Sequence, residues 1–337
     1  MSASRMLLCT WFSLIAIAGC GDAAVTVDNQ AKSADDATGP APWEKIAVPL
    51  PPRVQPALVA TEDSLLVLGG VQPFEVPDCP EGASCAAPAP RPLTDGAVLN
   101  VASVAWTDVA PSPHPLWRPE AAIWTGTEFV TFGAAYNLGE QSWRSLPTPS
   151  FLAYDKLSWT GEFVTTTGWD YDRGQRNGIG QYIGAALDPT SPTWRVEPWP
   201  HEPPGMESAR SVAVGDKVVA FVSTDQCSAS DNPYCSAVVE WDPQSGAWRD
   251  VTELPGTFDA APLGADQVMA VVSQDDVRVI DITPGSASKL EPPDVGFVRQ
   301  IASGRDAAAL LGLDGVAVLD VANNSWQKVE LPEVQGD

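Results

Sequence analysis

Histidine is scarce in this 337-residue sequence, which limits the chemistry that its side chains can perform. The two histidines, His114 and His201, lie in the proline-rich phrases HPLW and PHEP. The sequence contains no GxSxG motif, no HExxH motif and no phosphate-binding glycine loop. It therefore favours a chain without a metal, without a cofactor and without enzymatic activity.

Four cysteines follow the N-terminal 20 residues, and they form two close pairs. The pairs are Cys79 with Cys85 and Cys227 with Cys235. A metal site would want closer spacing, such as CxxC, and usually a neighbouring histidine, which neither pair has. An even number of cysteines in an exported chain is typical of disulfides, and short loops close at low entropic cost. We expect two local disulfides.

One acidic loop has residue types suited to calcium. The segment 169–178, WDYDRGQRNG, places Asp170, Asp172 and Asn177 close together among glycines. Calcium wants several oxygen ligands, but the full spacing of a calcium loop is missing and two arginines interrupt the segment. An ordinary solvated hairpin loop is the favoured interpretation.

A repeat organises most of the chain. Each copy begins with a tryptophan, or once with a leucine, and runs into a proline; the positions are Trp43, Trp106, Trp143, Trp194, Trp248, Leu290 and Trp326. Between them recur two apolar runs joined by a small polar turn, as in PALVATEDSLLVLGG at 56–70, followed by a third apolar run. Four short strands repeated six times predict an all-β, six-bladed β-propeller of four-stranded antiparallel blades.

Three phrases resemble the kelch family of β-propellers. They are the apolar run Leu65–Gly70, which ends in a glycine pair, and the apolar-Asp-Pro-xxxx-Trp phrases 187–194 and 241–248. The resemblance spans residues 43–332 and implies a propeller, although only Gly69 and Gly70 keep the full glycine doublet. We interpret the repeated tryptophans as packing between blades, and the glycines as allowing tight turns or close backbone approach.

The second blade and the closing strand are the irregular parts of this plan. The interval from Trp106 to Trp143 barely has room for a third strand, so we expect the second blade to depart from the plan. Trp43 and Trp326 both offer an outer-strand phrase to six blades. The sequence does not say which of them closes the ring.

A candidate binding site lies in the segments that precede each blade's first strand, because propellers bind ligands at the mouth of the central channel. Guanidinium groups suit carboxylates, and 4 of the chain's 13 arginines fall in these segments. The alternative is that they form ion pairs between blades with Glu120, Asp155 or Glu207. The candidate residues are Arg53, Trp117, Arg118, Glu120, Tyr154, Asp155, Glu207, Arg210 and Arg299.

Two of these arginines lie at nearly the same position in their repeats. Arg53 lies 16 residues before Gly69, and Arg118 lies 15 residues before Gly133. Two neighbouring blades would then place their guanidinium groups at similar depths near the propeller axis. We expect that a carboxylate-bearing ligand could bridge them.

The N-terminal sequence predicts export and membrane anchoring. Residues 1–19 have one charge, Arg5, before an apolar run that is too short to span a membrane and fits a signal peptide. The phrase Ile17-Ala18-Gly19-Cys20 resembles the bacterial lipobox, which implies lipidation of Cys20. Residues 20–42 are small and polar, as in a flexible tether, and lead to the propeller at 43–332 and a tail at 333–337.

Charge excludes one class of partner. The formal net charge of -24 would repel a nucleic-acid backbone. We expect a monomer in the bacterial cell envelope, held to a membrane by its N-terminal lipid, that binds a protein or glycan partner. The alternative is a periplasmic glycan-acting enzyme that resembles kelch-type sugar-acid epimerases, with an arginine holding the sugar acid and a carboxylate such as Glu207 as acid or base.

Overall fold

The computed structural model describes most of the chain from residue 46 to residue 329. The described residues are 46–61, 63–73, 91–114, 116, 122–149, 156–170, 180–201, 209–224, 235–273, 276–298, 300–303, 307–321, 323 and 325–329. Strands and turns make up these residues, and no helix in them is long and apolar enough to cross a membrane. The described residues up to Arg144 form one compact unit, and those from Ser145 onward form a second.

Unit 1 contains two four-stranded antiparallel sheets and one short ribbon. Blade 1 has the order β1 (Ala57–Ala60), β2 (Ser64–Leu68), β5 (Gly96–Asn100) and β6 (Ala105–Val109). Between its second and third strands, β3 (Val71–Gln72) pairs with β4 (Arg91–Pro92). Blade 2 comprises β7 (Ile123–Trp124), β8 (Glu128–Thr131), β9 (Ala134–Asn137) and β10 (Ser142–Ser145), whose last residue lies at the start of unit 2.

Unit 2 contains four further sheets of the same kind. Blade 3 comprises β11 (Ser158–Trp159), β12 (Val164–Asp170), β13 (Gln181–Leu187) and β14 (Arg195–Pro198). Blade 4 comprises β15 (Ala209–Val214), β16 (Lys217–Thr224), β17 (Cys235–Trp241) and β18 (Trp248–Leu254). Blade 5 comprises β19 (Asp259–Leu263), β20 (Gln267–Ser273), β21 (Asp276–Asp281) and β22 (Ser286–Leu290). Blade 6 comprises β23 (Gln300–Ser303), β24 (Ala307–Leu311), β25 (Val316–Asp320) and β26 (Ser325–Val329).

The prediction of an all-β propeller fold with six four-stranded blades is confirmed. The expectation that the second blade departs from the plan was wrong. Its third strand, β9, needs only Ala134–Asn137, because strands of four residues suffice to pair on both sides of a sheet. Trp326 lies in β26, so it supplies the outer strand of the sixth blade; Trp43 lies outside the described residues.

Three of the repeated tryptophans, Trp143, Trp194 and Trp248, contact the preceding blade as predicted. Trp143 on β10 donates its indole N–H to the carbonyl of Ala110, which follows the outer strand of blade 1, at 2.7 Å. Trp194 makes the equivalent bond to Pro147 at 2.8 Å. In blade 4, Trp248 instead stacks on Trp241, whose ring fills the space that a Cβ on Gly184 of blade 3 would need. Here glycine permits close approach of a side chain.

Each blade has two ends, which we name by the path of the chain. At the entry end the first strand begins, the second strand ends and the third strand begins. At the turn end lie the hairpins between the first and second strands and between the third and fourth. The turn-end connections are short: the shortest is 215–216 and the longest is 188–194. The entry-end connections include the longer segments 69–95, 171–180 and 225–234.

Acidic or amide side chains organise the hairpins between third and fourth strands. Each of these hairpins starts with one such residue: Asn100, Asn137, Asp188, Asp242, Asp281 and Asp320. In five of the six blades its side chain accepts a backbone N–H from the turn, for example from Ser103 at 2.9 Å and from Gln244 at 2.8 Å. Such side chains take the place of a backbone partner, which explains the recurring apolar-Asp phrase.

Candidate functional site

The entry ends of blades 4, 5 and 6 lie side by side within unit 2. Arg210, near the start of β15, donates from Nε to the carbonyl of Phe258 at 3.4 Å, just before β19. Asp259, the first residue of β19, accepts the backbone N–H of Ile301 in β23 through Oδ2 at 3.0 Å. These two contacts join the starts of three successive first strands. We call the surface that they border the entry face of unit 2.

Exposed apolar side chains concentrate on this face. Five large apolar side chains among the described residues are exposed: Val48, Val54, Phe258, Phe297 and Leu313. Three of these five belong to the entry ends of blades 5 and 6, with Phe258 65% exposed, Leu313 54% and Phe297 47%. Exposed single apolar residues are ordinary, but three at the same end of two neighbouring blades make this face the candidate binding surface.

The backbone beneath Phe297 and Leu313 is held in place. The backbone N–H of Leu313 donates to the carbonyl of Phe297 at 3.2 Å, and the backbone N–H of Asp314 donates to the carbonyl of Val295 at 2.9 Å. A Cβ at Gly312 would collide with that same Val295 carbonyl, so only glycine lets the two segments approach. The exposed side chains of Phe297 and Leu313 therefore extend from backbone segments that are hydrogen-bonded to each other.

Arg53, a sequence-predicted site residue, is committed to its own blade. Its Nη2 lies 3.0 Å and its Nη1 3.2 Å from the carboxylate of Asp95, and Nη1 also donates to the carbonyl of Gly69 at 2.9 Å. The side chain is 6% exposed. The pair lies within blade 1, so it is neither the predicted ligand contact nor the alternative, an ion pair between blades. The spacing of 16 residues brings Arg53 to the glycine pair, and no described contact supports a ligand role.

The glycine pair makes this arrangement possible. Gly69 and Gly70 have φ angles of +61° and +91°, which other residues rarely adopt. A Cβ on Gly70 would lie 2.8 Å from the carbonyl oxygen of Val54. Tight turns or close backbone approach were the two predicted reasons for such glycines, and Gly70 shows the close approach.

The remaining predicted site residues are only partly described. Arg210 lies on the entry face of unit 2, as given above. Seven further candidates lie outside the described residues: Trp117, Arg118, Glu120, Tyr154, Asp155, Glu207 and Arg299. The matching repeat positions of Arg53 and Arg118, and the role of each as a ligand contact, stay predictions.

Sequence reasoning missed a set of arginine–carboxylate pairs within sheets. Arg144 contacts Glu128 through two bonds of 2.8 and 2.6 Å, and Arg249 contacts Glu240 through bonds of 3.2 and 2.8 Å. The hydrogen bond that each arginine donates to its glutamate raises the pKa of the arginine. The signal was present in the sequence, since both arginines directly follow a repeat tryptophan. Paired in this way, they stabilise sheets and are not available to a ligand.

The described contacts of the two histidines are local. The ring centroids of His201 and Trp199 lie 5.3 Å apart in an edge-to-face arrangement. The Nε2 atom of His201 lies 3.4 Å from a carboxylate oxygen of Asp250. The backbone N–H of His114 contacts the hydroxyl of Ser112 at 3.4 Å. Within the described ranges no group of three or more histidine, cysteine or acidic side chains could hold a metal ion.

The cysteine predictions are mostly untested. Cys235, the first residue of β17, is 3% exposed and disulfide-bonded. Cys79, Cys85 and Cys227 lie outside the described residues, as does Cys20. The local pairings therefore stay predictions. Of the possible calcium ligands, only Asp170 is described, and it is buried at the end of β12.

Comparison with known proteins leaves the chain without an assigned family. No protein-family model matches it, and no curated protein matches it. Among solved structures it is similar to an oligogalacturonate lyase in complex with manganese, with 8% sequence identity over 72% of each chain and a TM-score of 0.48. That likeness is too distant to bear on activity.

Proposed function

We propose that this chain is an exported, lipid-anchored binding protein that docks a protein partner through the entry face of unit 2. The observation that carries the proposal is the exposure of Phe258, Phe297 and Leu313 on that face. Large apolar side chains of this kind serve as anchors in protein interfaces, where they fill pockets of the partner and supply most of the binding energy.

The arginine geometry supports binding in preference to catalysis. An enzyme similar to the sugar-acid epimerases would need arginines that are available to a substrate carboxylate. Arg53 is instead paired with Asp95, and Arg210 contacts the carbonyl of Phe258. Among the described residues, no observation favours the enzymatic alternative.

Anchoring is the second part of the proposal. Support comes from the sequence alone: the leader 1–19, the lipobox cysteine Cys20 and the polar tether 20–42. Labelled palmitate should be incorporated into the wild-type chain and not into Cys20→Ala. Equal labelling of both chains would overturn the lipid anchor.

Site-specific photo-crosslinking tests the docking face. A photoreactive phenylalanine in place of Phe258 should give an adduct in intact cells of the producing bacterium, and mass spectrometry should identify a peptide of a second protein in it. The matched control places the same group at Ser288, which is exposed on the outer strand of the same blade. A saccharide adduct, no adduct, or equal adducts from both positions would overturn the protein-docking proposal.

A further inference from the structure

Two carboxylates converge beside the exposed pair Phe297 and Leu313. Asp294 accepts the backbone N–H of Gly296 through Oδ1 at 2.9 Å. On the other strand of the same backbone pairing, Asp314 approaches Gly296 so closely that a Cβ there would lie 2.5 Å from its Oδ2. Gly296 immediately precedes Phe297, so both acidic groups border the apolar pair.

The structure shows no neutralising partner for these carboxylates among the residues that it describes. Asp294 and Asp314 are both exposed and take part in no described ion pair. The side chain of Lys328 lies near Gly315, yet it forms no described ion pair with Asp314. The combination is therefore an apolar pair with an acidic border, on a chain whose net charge is -24.

We infer that Phe297, Leu313, Asp294 and Asp314 form a docking site for a cationic segment of a partner protein that carries apolar anchors. This rests on the proposed function and names the chemistry of the partner. The apolar pair would contact the partner's aliphatic or aromatic side chains, while the two carboxylates would face its lysines or arginines. Charge complementarity of this kind sets the association rate and rejects unsuitable partners.

A second copy of this chain is the less suitable occupant. Two copies would bring acidic borders together, and each copy carries the same negative charge. The paired backbone of 295–297 and 312–314 presents the site without rearrangement, which lowers the entropic cost of binding. A preorganised site can be tested with short peptides.

The experiment measures binding of fluorescent model peptides to the purified chain. The first probe is a short peptide of alternating lysine and leucine; a lysine–serine peptide and a glutamate–leucine peptide serve as controls. We expect binding of the first probe and much weaker binding of both controls. Equal binding of the lysine–serine peptide would show attraction to net charge alone and would overturn the inference.

Variants assign the binding to the site. Leu313→Ser should weaken binding of the lysine–leucine probe by about tenfold or more, as for an interface anchor. Asp314→Asn should weaken it by about two- to threefold, and the weakening should fade at high salt. The matched control, Asp266→Asn, removes the same charge from an exposed position in the turn end of blade 5 and should leave binding unchanged.

The outcomes separate this inference from the proposed function. If crosslinking at Phe258 yields a protein adduct while the lysine–leucine probe does not bind, the cationic-segment inference fails and the proposed function stands. If Asp266→Asn weakens binding as much as Asp314→Asn does, the acidic border is not the determinant, and the inference is again overturned. Dimerisation that Leu313→Ser abolishes would identify a second copy as the occupant and would also overturn it.

Discussion

The turn ends and the entry ends of the blades differ in whether their side chains have partners within the protein. At the turn ends, short hairpins bond their own backbone through residues such as Asn100 and Asp242, and neighbouring blades add contacts such as Arg249 to the carbonyl of Ile282 at 3.0 Å. At the entry face of unit 2, Phe258 and Leu313 project into solvent. The contrast separates residues that stabilise the fold from residues available to a partner.

The largest expected effect tests whether the entry end of blade 6 is itself a well-packed structure. Gly312→Ala places a methyl group against the Val295 carbonyl, and the backbone beneath Phe297 must move. We expect a loss of about 3 kcal/mol or more in the free energy of unfolding, measured by urea denaturation, because overpacking against backbone relaxes poorly. Gly139→Ala is the control, since its nearest described atom lies at 3.5 Å. Equal losses from both changes would contradict the tight packing at Gly312.

The next effect concerns the turn end of blade 4. Asp242 accepts backbone N–H groups from Gln244 and Ser245 and pairs with Lys217 at 2.9 Å. We expect Asp242→Ala to cost about 2 kcal/mol of unfolding free energy, since hydrogen bonds to charged groups contribute about that much. Asp216→Ala removes a carboxylate that contacts the same lysine but is 79% exposed, and it should cost less than about 0.5 kcal/mol. Similar losses from the two variants would show that the Asp242 turn contributes nothing of its own.

The same aspartate predicts a pH dependence. Burial raises the pKa of Asp242, but hydrogen bonds from Lys217, Ser245 and Gln244 outweigh it and lower the pKa from 3.8 to about 2. Because the folded-state pKa is lowered, the stabilisation is complete above the unfolded value and is lost as pH falls through the folded value. Between about pH 5 and pH 2, the stability advantage of the wild-type chain over Asp242→Asn should shrink by about 2 kcal/mol. Parallel pH profiles of the two chains would disprove the role of this carboxylate.

A smaller effect distinguishes tryptophans with and without a partner for the indole N–H. Trp194 donates to the Pro147 carbonyl, whereas the buried N–H of Trp248 has no hydrogen-bond partner among the residues that the structure describes. Benzothienylalanine has nearly the shape of tryptophan and lacks this donor. At position 194 it should cost about 1 kcal/mol of stability, and at position 248 it should be neutral or stabilising. Thermal unfolding of both variants checks this, and equal costs would refute the difference between the two bonds.

The sequence predicted the strands and the repeat because both are local. Short apolar runs bounded by polar turns and the recurring tryptophans mark strands wherever they occur, and the phrase at 241–248 contains both the strand end and its turn. Blade 2 was misjudged because the minimum length of its strands cannot be read from spacing. Strand β9 has four residues, which still pair fully with β8.

The candidate site was harder to predict because its contacts are distant in sequence. Arg53 and Asp95 are separated by 42 residues, and no spacing rule links them. Phe258 and Leu313 look like ordinary strand-flanking residues in the sequence, and only burial distinguishes them from Phe221, which is 1% exposed. Exposure depends on which residues the other strands cover, so it follows from the fold and not from the local pattern.

The smallest expected change in stability is the strictest test of the contrast. Phe258→Ser removes a ring that is 65% exposed, so it should change the free energy of unfolding by no more than about 0.5 kcal/mol, as is usual for surface positions. Phe221→Ser, in the core of the same unit, removes a ring that is 1% exposed and should cost more than about 3 kcal/mol. Urea denaturation of both variants gives the comparison directly. If Phe258→Ser destabilised the chain as Phe221→Ser does, the ring would be part of the packed protein, and the entry face would have no free anchor to offer a partner.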